Sequence, residues 1–175
     1  FNRFILLSGV DYPIKPTSYI KSFLAGNSQE FISLAPMPIT EENKTLERLT
    51  DFHIEHIFHT RSKLLTVLHN LSLYYLNIFL ALLFKRDFKT RLPGMTPYAG
   101  HQWWALSRDA ITYILDFLEQ HPSYTKFFKF SKVPDEMFFH TIIGNSVYAE
   151  RTAPSLTYAD WTGYGYHPAE ISETH

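Results

Sequence analysis

The chain has 175 residues, of which 45% are apolar and 19% are charged, and this is enough sequence for one domain with a buried core. Sixteen basic residues nearly balance 17 acidic ones, so no strong positive field favours binding to DNA or RNA. Cysteine is absent, which excludes a disulfide scaffold, a cysteine-ligated zinc site and a thiol nucleophile, and is typical of a reducing compartment.

The first predicted element is a short apolar run at 4–7, which indicates a buried strand. Gly9 and Asp11 follow in a loop, at the strand end where an α/β sheet commonly carries ligand-binding groups. A Thr-Ser pair at 17–18 is a suitable cap for a short helix, and Gly26 is a suitable end for it.

After a second predicted strand at 31–34, an unusually apolar segment occupies 64–84, where 16 of 21 residues are apolar and basic residues flank both ends. Its length and flanks resemble a membrane span. The polar residues, among them Thr66, His69 and Asn77, nevertheless fall close to one stripe, as in an amphipathic helix with a wide apolar face. The pattern favours a helix that is buried or covered by a partner over one on a membrane surface, and favours a true span least.

The second half of the chain has clearer helix and strand signals. A strand is predicted at 102–106, and Ser107 is a good cap for a helix that continues to about Glu119. A further helix is predicted to start at Pro134, because proline suits the first helical turn. A last strand-like segment is 157–161.

Glu136 is the strongest single candidate for chemistry. It follows a loop at the predicted helix start, and the apolar residues 137–139 come directly after it. The helix end favours the carboxylate anion and apolar neighbours disfavour it, and such opposing influences can tune a general base. The alternative is that Asp135 and Glu136 simply complement the helix dipole.

Two other groups of residues invite functional hypotheses. His53, His56 and His59 are spaced by three, which spreads the rings around a helix and makes a metal site a poorer interpretation than polar or half-buried histidines. Trp103, Trp104 and Trp161 could be platforms on which a sugar stacks. The alternative is core packing, since one of two adjacent tryptophans on a strand must point inward. No phosphate-binding glycine loop and no Asp-x-Asp metal motif is found in the sequence.

Four segments, in order along the chain, resemble the Core-2/I-branching glycosyltransferases, a family that also includes the peptide O-xylosyltransferases. Each motif alone is weak, but four in the family's order are fairly specific. The segments are 6–15 (LLSGVDYPIK), 100–108 (GHQWWALSR), 134–141 (PDEMFFHT) and 157–161 (TYADW) with the His-Pro pair at 167–168.

The resemblance implies an α/β fold of the GT-A-like type and an inverting transfer of a sugar, of the GlcNAc or xylose class, from a UDP-sugar donor to a hydroxyl of a glycan or lipid-linked acceptor. It implies that Glu136 is the catalytic base and that no metal cofactor is needed. Residues 1–175 are expected to form a single domain, the C-terminal, acceptor-side portion of a catalytic domain without its nucleotide-binding half.

The resemblance also implies roles for five further residues. Asp11 and Gly9 are expected on the donor side, and Arg48, Trp161 and Trp103 on the acceptor side. The structural alternatives are that Asp11 forms a turn, Arg48 is a surface charge and the tryptophans belong to the core.

The absence of cysteine departs from the family's animal members and favours a bacterial-type, cytoplasmic protein. The apolar segment 64–84 adds the expectation of peripheral membrane contact. The competing functions are a non-catalytic carbohydrate-binding fragment and a membrane-associated interaction fragment on the same scaffold.

Overall fold

The computed structural model describes residues 2–55, 62–161, 168–169 and 171. In these ranges the chain forms a mixed α/β domain, as the sequence predicts. The strands are β1 (Arg3–Leu6), β2 (Glu30–Ile32), β3 (Ala35–Pro36), β4 (Tyr98–Ala99), β5 (Trp104–Ser107) and β6 (Thr152–Ala153). The α-helices are α1 (Thr17–Ala25), α2 (Glu47–Thr50), α3 (Lys63–Leu83), α4 (Phe88–Arg91), α5 (Arg108–Gln120), α6 (Pro122–Phe128) and α7 (Phe138–Gly144), and 3₁₀ turns lie at Thr40–Glu42, Pro134–Glu136 and Ala149–Arg151.

A four-stranded sheet organises the domain, with the strand order β1-β5-β2-β6. Strand β5 pairs antiparallel with both β1 and β2, and β2 pairs parallel with β6. Strand β5 is an inner strand, and its residues Ala105 and Leu106 are buried. Its neighbour β1 is an edge strand of the sheet. A second, two-stranded sheet joins β3 to β4.

The main core lies between the sheets and the helices α5, α6 and α7. Ser107 caps α5 as predicted, since its hydroxyl accepts a hydrogen bond from the Ala110 N–H at 3.1 Å. The Tyr124 ring is fully buried and its hydroxyl donates to the Phe138 carbonyl at 2.6 Å. The largest fully buried side chains are Tyr124, Phe128, Ile32, Leu49, Leu106, Met137, Ile142, Ile143, His140, Glu30 and Thr141.

Two strand predictions are wrong in part. The first strand forms, but residues 4–7 are exposed rather than buried, because β1 lies at the edge of the sheet. No strand forms at 157–161. The last strand is β6, earlier in the chain, and Pro154 follows it directly, where the missing N–H cannot continue the ladder.

The helix predicted at Pro134 forms in two pieces. Pro134–Glu136 is a 3₁₀ turn, and the α-helix α7 starts only at Phe138, after a break at Met137. Glu136 therefore lies in the 3₁₀ turn, two residues before the α-helix, rather than in the first turn of the α-helix.

The long helix is present with almost the predicted bounds, but it is not a core helix. No residue of α3 is buried. It is also the one helix, among the described residues, that is long and apolar enough to cross a membrane, with a mean hydropathy of 1.4 in its most apolar window. Burial within the chain, one half of the interpretation that the sequence pattern favours, is therefore wrong, whereas cover by a partner stays a prediction.

Candidate active site

The backbone of Glu136 is held by a loop that is distant in sequence. The Gly100 N–H donates to the Glu136 carbonyl at 2.9 Å, and the Glu136 N–H donates to the Val133 carbonyl at 3.4 Å. Val133 has φ of +50°, a left-handed conformation that costs a β-branched residue about 1–3 kcal/mol. The turn that carries Glu136 is thus entered through a strained residue, a feature often found next to functional groups.

Arg48 of α2 fixes the Glu136 side chain. Its Nη1 donates to Glu136 Oε2 at 2.6 Å, and its Nε donates to the Asn43 carbonyl at 3.0 Å. The two charged residues are 88 positions apart in sequence. Their side chains are 15% and 26% exposed, so the pair is close to solvent but held in place, and the charge-assisted bond restrains the carboxylate in one orientation.

The other carboxylate oxygen, Glu136 Oε1, accepts no hydrogen bond from the described residues. A carboxylate that has one oxygen held by Arg48 and a side chain that is 26% exposed can accept a proton from an incoming hydroxyl. The arrangement therefore has the chemical capacity of a general base.

Further charged groups surround this pair. Lys44 is buried and forms an ion pair with Glu42. The hydrogen bond from Lys44, helped by the charges of Lys44, His101 and Arg48, lowers the pKa of the Glu42 carboxyl. The pKa of Asp135 is raised, chiefly by desolvation and also by the charge on Glu136, so the adjacent carboxylates 135 and 136 have different environments.

A recess of about 150 Å³ lies near the pair, although neither Arg48 nor Glu136 lines it. Gly100 and His101 line it together with Glu42 and residues 33–35. Ligand pockets commonly have about 300–1,000 Å³, so this recess alone accommodates only part of a sugar acceptor. Its position next to the backbone of Glu136 makes it a candidate subsite rather than a complete binding site.

The two central sequence motifs come together at Gly100. A Cβ atom there would lie 1.7 Å from the Ser33 carbonyl oxygen, so only glycine fits. His140 of α7 is buried, its Nε2 lies 2.9 Å from the His101 carbonyl, and burial lowers its pKa to about 4. The histidine is therefore neutral and donates through Nε2, which ties the segment 100–108 to the segment 134–141.

The structure brings together two of the predicted site residues, Arg48 and Glu136. Asp11 forms a local turn instead, since its Oδ2 accepts the Ser8 N–H at 2.6 Å. Gly9 has open space around it, so nothing among the described residues requires glycine there. No described contact joins the turn to Glu136, and the donor-side roles of Asp11 and Gly9 stay predictions.

The tryptophans differ in their exposure. Trp103 is 7% exposed, as expected for a residue that packs in the core, whereas Trp161 is 50% exposed and presents its ring at the surface. Of the two, only Trp161 has a ring that is open to a stacking sugar in this conformation. Their acceptor-side roles stay predictions.

The sequence analysis did not identify Glu30, although it is fully buried. Its carboxylate accepts hydrogen bonds from the N–H and hydroxyl of Ser107, both at 2.7 Å, and lies near Arg3 and Arg151 at 3.6 and 3.5 Å. This cluster borders a recess of about 710 Å³, which none of the predicted site residues lines. Nothing in the local sequence around Glu30 predicts that its carboxylate is buried or that Ser107, Arg3 and Arg151 lie next to it.

The histidine cluster can be described only in part. Burial lowers the pKa of His53, while His56 and His59 lie outside the described residues. Among the residues that the structure does describe, no group of three His, Cys, Asp or Glu side chains is placed to hold a metal ion.

The chain thus has a mixed α/β domain that carries a partly exposed Glu136 carboxylate held by Arg48, and such a carboxylate is a candidate general base. The chain belongs to the Core-2/I-branching enzyme family, whose model matches residues 1–174. This is a family of glycosyltransferases. No curated protein matches the chain significantly.

Proposed function

We propose that the chain is the acceptor-side part of an inverting glycosyltransferase with a GT-A-like fold and that Glu136 is its catalytic base. The donor would be a UDP-sugar of the GlcNAc or xylose class, and the acceptor a hydroxyl of a glycan or a lipid-linked sugar. The observation that carries the proposal is the 2.6 Å contact between Arg48 Nη1 and Glu136 Oε2, which fixes a carboxylate whose side chain remains 26% exposed.

The chemical step balances with one carboxylate. The acceptor oxygen forms a bond to the anomeric carbon, and the bond from that carbon to the diphosphate breaks with its electron pair on the leaving group. The hydroxyl proton moves to Glu136 Oε1. The leaving diphosphate requires positive charge, and its binding groups are not among the residues assigned here.

The surrounding residues would divide the remaining tasks. Arg48 would act as a positioning residue for Glu136 and also offer its remaining N–H donors to acceptor hydroxyls. The recess beside Gly100 would take one edge of the acceptor, and the exposed Trp161 ring could stack on a sugar face. Asp11 and Gly9 would meet the donor only once the nucleotide-binding partner segment is in place.

The test is a transfer assay with candidate UDP-sugars and sugar acceptors, comparing the wild type with Glu136→Gln. The amide cannot accept the proton, so we expect kcat to fall by about 10²–10⁴. Asp135→Asn is the matched control, since it removes the adjacent carboxylate and should change kcat by less than about threefold if that group takes no proton.

Each alternative has its own outcome in this assay. Unchanged turnover in Glu136→Gln would contradict the assignment. A loss of kcat in Asp135→Asn alone would indicate that Asp135 is the base instead. Glycan binding without any transfer would favour the carbohydrate-binding fragment. Metal independence is tested by adding EDTA, which should leave the rate unchanged.

A further inference from the structure

Helix α3 is amphipathic in an unusual sense, because its polar stripe faces the protein and its apolar face points away from it. The half-buried residues follow one line along the helix, which consists of the polar Thr66, His69 and Asn77 and the apolar Leu73, Leu80 and Ala81. Asn77 donates to the Ile54 carbonyl at 3.0 Å and accepts the Ile54 N–H at 2.8 Å. A soluble domain normally presents the opposite arrangement, with the apolar side inward.

The outward face is a broad apolar arc. At 100° per residue its members spread over about 120°, and each is between 42% and 76% exposed. No charged residue interrupts the sequence between Lys63 and Lys85. The residues of this outer face are Leu64, Val67, Leu68, Leu71, Tyr75, Ile78, Phe79 and Leu82.

The charge around the helix is complementary to an anionic surface. Residues 62–91 contain five basic side chains and one acidic one, a net charge of +4, whereas the whole chain has a net charge of −1. Lys63, Lys89 and Arg91 are exposed. Positive charge concentrated beside an apolar helix is typical of attachment to anionic lipid headgroups.

The chain segment that contains α3 is anchored to the domain at one place by its two ends, Asp51 and Lys85. Asp51 and Lys85 pair as an isolated β-bridge, and their side chains form an ion pair at 2.6 Å. The Arg86 N–H donates to the Thr50 carbonyl at 2.7 Å. Because Asp51 and Lys85 are paired, they would lie on the same side of a bilayer. A single crossing by α3 would then require the polar segment 52–62 to cross the bilayer a second time. The geometry therefore fits a helix that lies on the membrane surface better than a helix that spans it.

We propose that α3 lies in the interface of an anionic bilayer, with the outer face among the acyl chains and the polar stripe carrying the domain. Arg48 is three residues before Asp51, where this segment begins, so membrane attachment would hold the candidate active site close to the lipid surface. A coiled-coil seam would need a narrower apolar strip with flanking charges, which α3 lacks. This inference extends the proposed function but does not depend on Glu136 being a base.

The experiment is flotation of the protein with vesicles of phosphatidylglycerol and phosphatidylethanolamine, and with vesicles of phosphatidylcholine alone. We expect binding to the anionic vesicles only. Leu71→Glu/Leu82→Glu should weaken it at least tenfold, because two charges enter the outer face. Leu115→Glu, which alters an exposed leucine of α5, is the matched control and should bind like the wild type.

Charge and oligomer measurements complete the test. Lys63→Gln and Lys89→Gln should each weaken binding about fivefold and reduce its salt dependence. Failure of the wild type to float, or equal flotation of the double Glu variant, would overturn the proposal. A wild-type dimer that does not bind vesicles and that dissociates in Leu71→Glu/Leu82→Glu would also overturn it. Resistance of the bound protein to carbonate extraction would indicate a membrane span and would overturn it as well. Glu136→Gln should float normally, which separates this result from the proposed catalysis.

Discussion

At the scale of single residues, the site depends on close backbone contacts around Glu136. Gly100 allows the Ser33 carbonyl to approach, and its own N–H is bonded to the Glu136 carbonyl. Val133 holds a left-handed conformation immediately before the turn. These contacts set the position of the carboxylate before Arg48 fixes its orientation, so the side chain is organised without a bound substrate.

His140 gives this region a pH dependence. Burial lowers its pKa to about 4, compared with about 6.5 in the unfolded chain. Between these values the unfolded state binds more protons, so stability is complete above about pH 6.5 and is lost as the pH falls toward 4. The loss attributable to His140 should be about 3 kcal/mol.

Urea denaturation measured between pH 4 and 7 checks this expectation. His140→Gln should flatten the dependence of the unfolding free energy on pH, whatever its effect on stability at pH 7. An equally steep dependence in the variant would show that other groups cause the acid sensitivity.

At the scale of elements, Arg86 clamps the end of α3 to the domain. Its guanidinium donates to the carbonyls of Phe127 at 2.6 Å and Asp51 at 2.9 Å and to the Ser131 hydroxyl at 3.1 Å. It also lies 4.5 Å from the centre of the Phe127 ring. Burial lowers its pKa to about 10, so the side chain remains charged at neutral pH.

Arg86→Lys should lower the free energy of unfolding by about 2 kcal/mol or more, because a lysine cannot reproduce the forked hydrogen bonds or the ring stacking. Chemical denaturation measures the change. Arg91→Lys, at an exposed position, is the control and should stay within about 0.5 kcal/mol of the wild type. Equal stability of the two variants would mean that the clamp contributes little.

Elements with strong local signals could be predicted from the sequence, and their packing could not. Ser107 and the helical spacing after it locate α5 because capping and periodicity act within a few residues. The helical spacing of its polar residues predicts the polar stripe of α3 in the same way. That it faces inward follows from the bonds between Asn77 and Ile54, which depend on how the loop before α3 folds back.

The same limit applies to the candidate site. The motif resemblance identified Glu136 and Arg48 separately, and only the folded chain shows that they are in contact. Glu30 had no local signal, since its buried bonds with Ser107 come from the pairing of β2 with β5. Long-range contacts of this kind are set by tertiary packing, which spacing in one sequence does not encode.

At the scale of the whole molecule, the proposals place two separate candidate surfaces on one mixed α/β domain. One is the Arg48 and Glu136 pair with its small recess, and the other is the apolar outer face of α3. They are joined through Asp51, where α2 ends and the segment of α3 begins. In this account a glycosyltransferase domain is held at a lipid surface with its base near the attachment point.

The central claim is that Glu136 accepts the proton and that Arg48 acts through it. The most direct measurement is kcat for sugar transfer in Arg48→Met, Glu136→Gln and the double variant. We predict a loss of kcat of about 10²–10⁴ for Glu136→Gln, about tenfold or more for Arg48→Met, and no further loss of kcat in the double variant, while the contacts of Arg48 with the acceptor would change KM instead. Wild-type kcat in Glu136→Gln, or losses that multiply in the double variant, would contradict the claim.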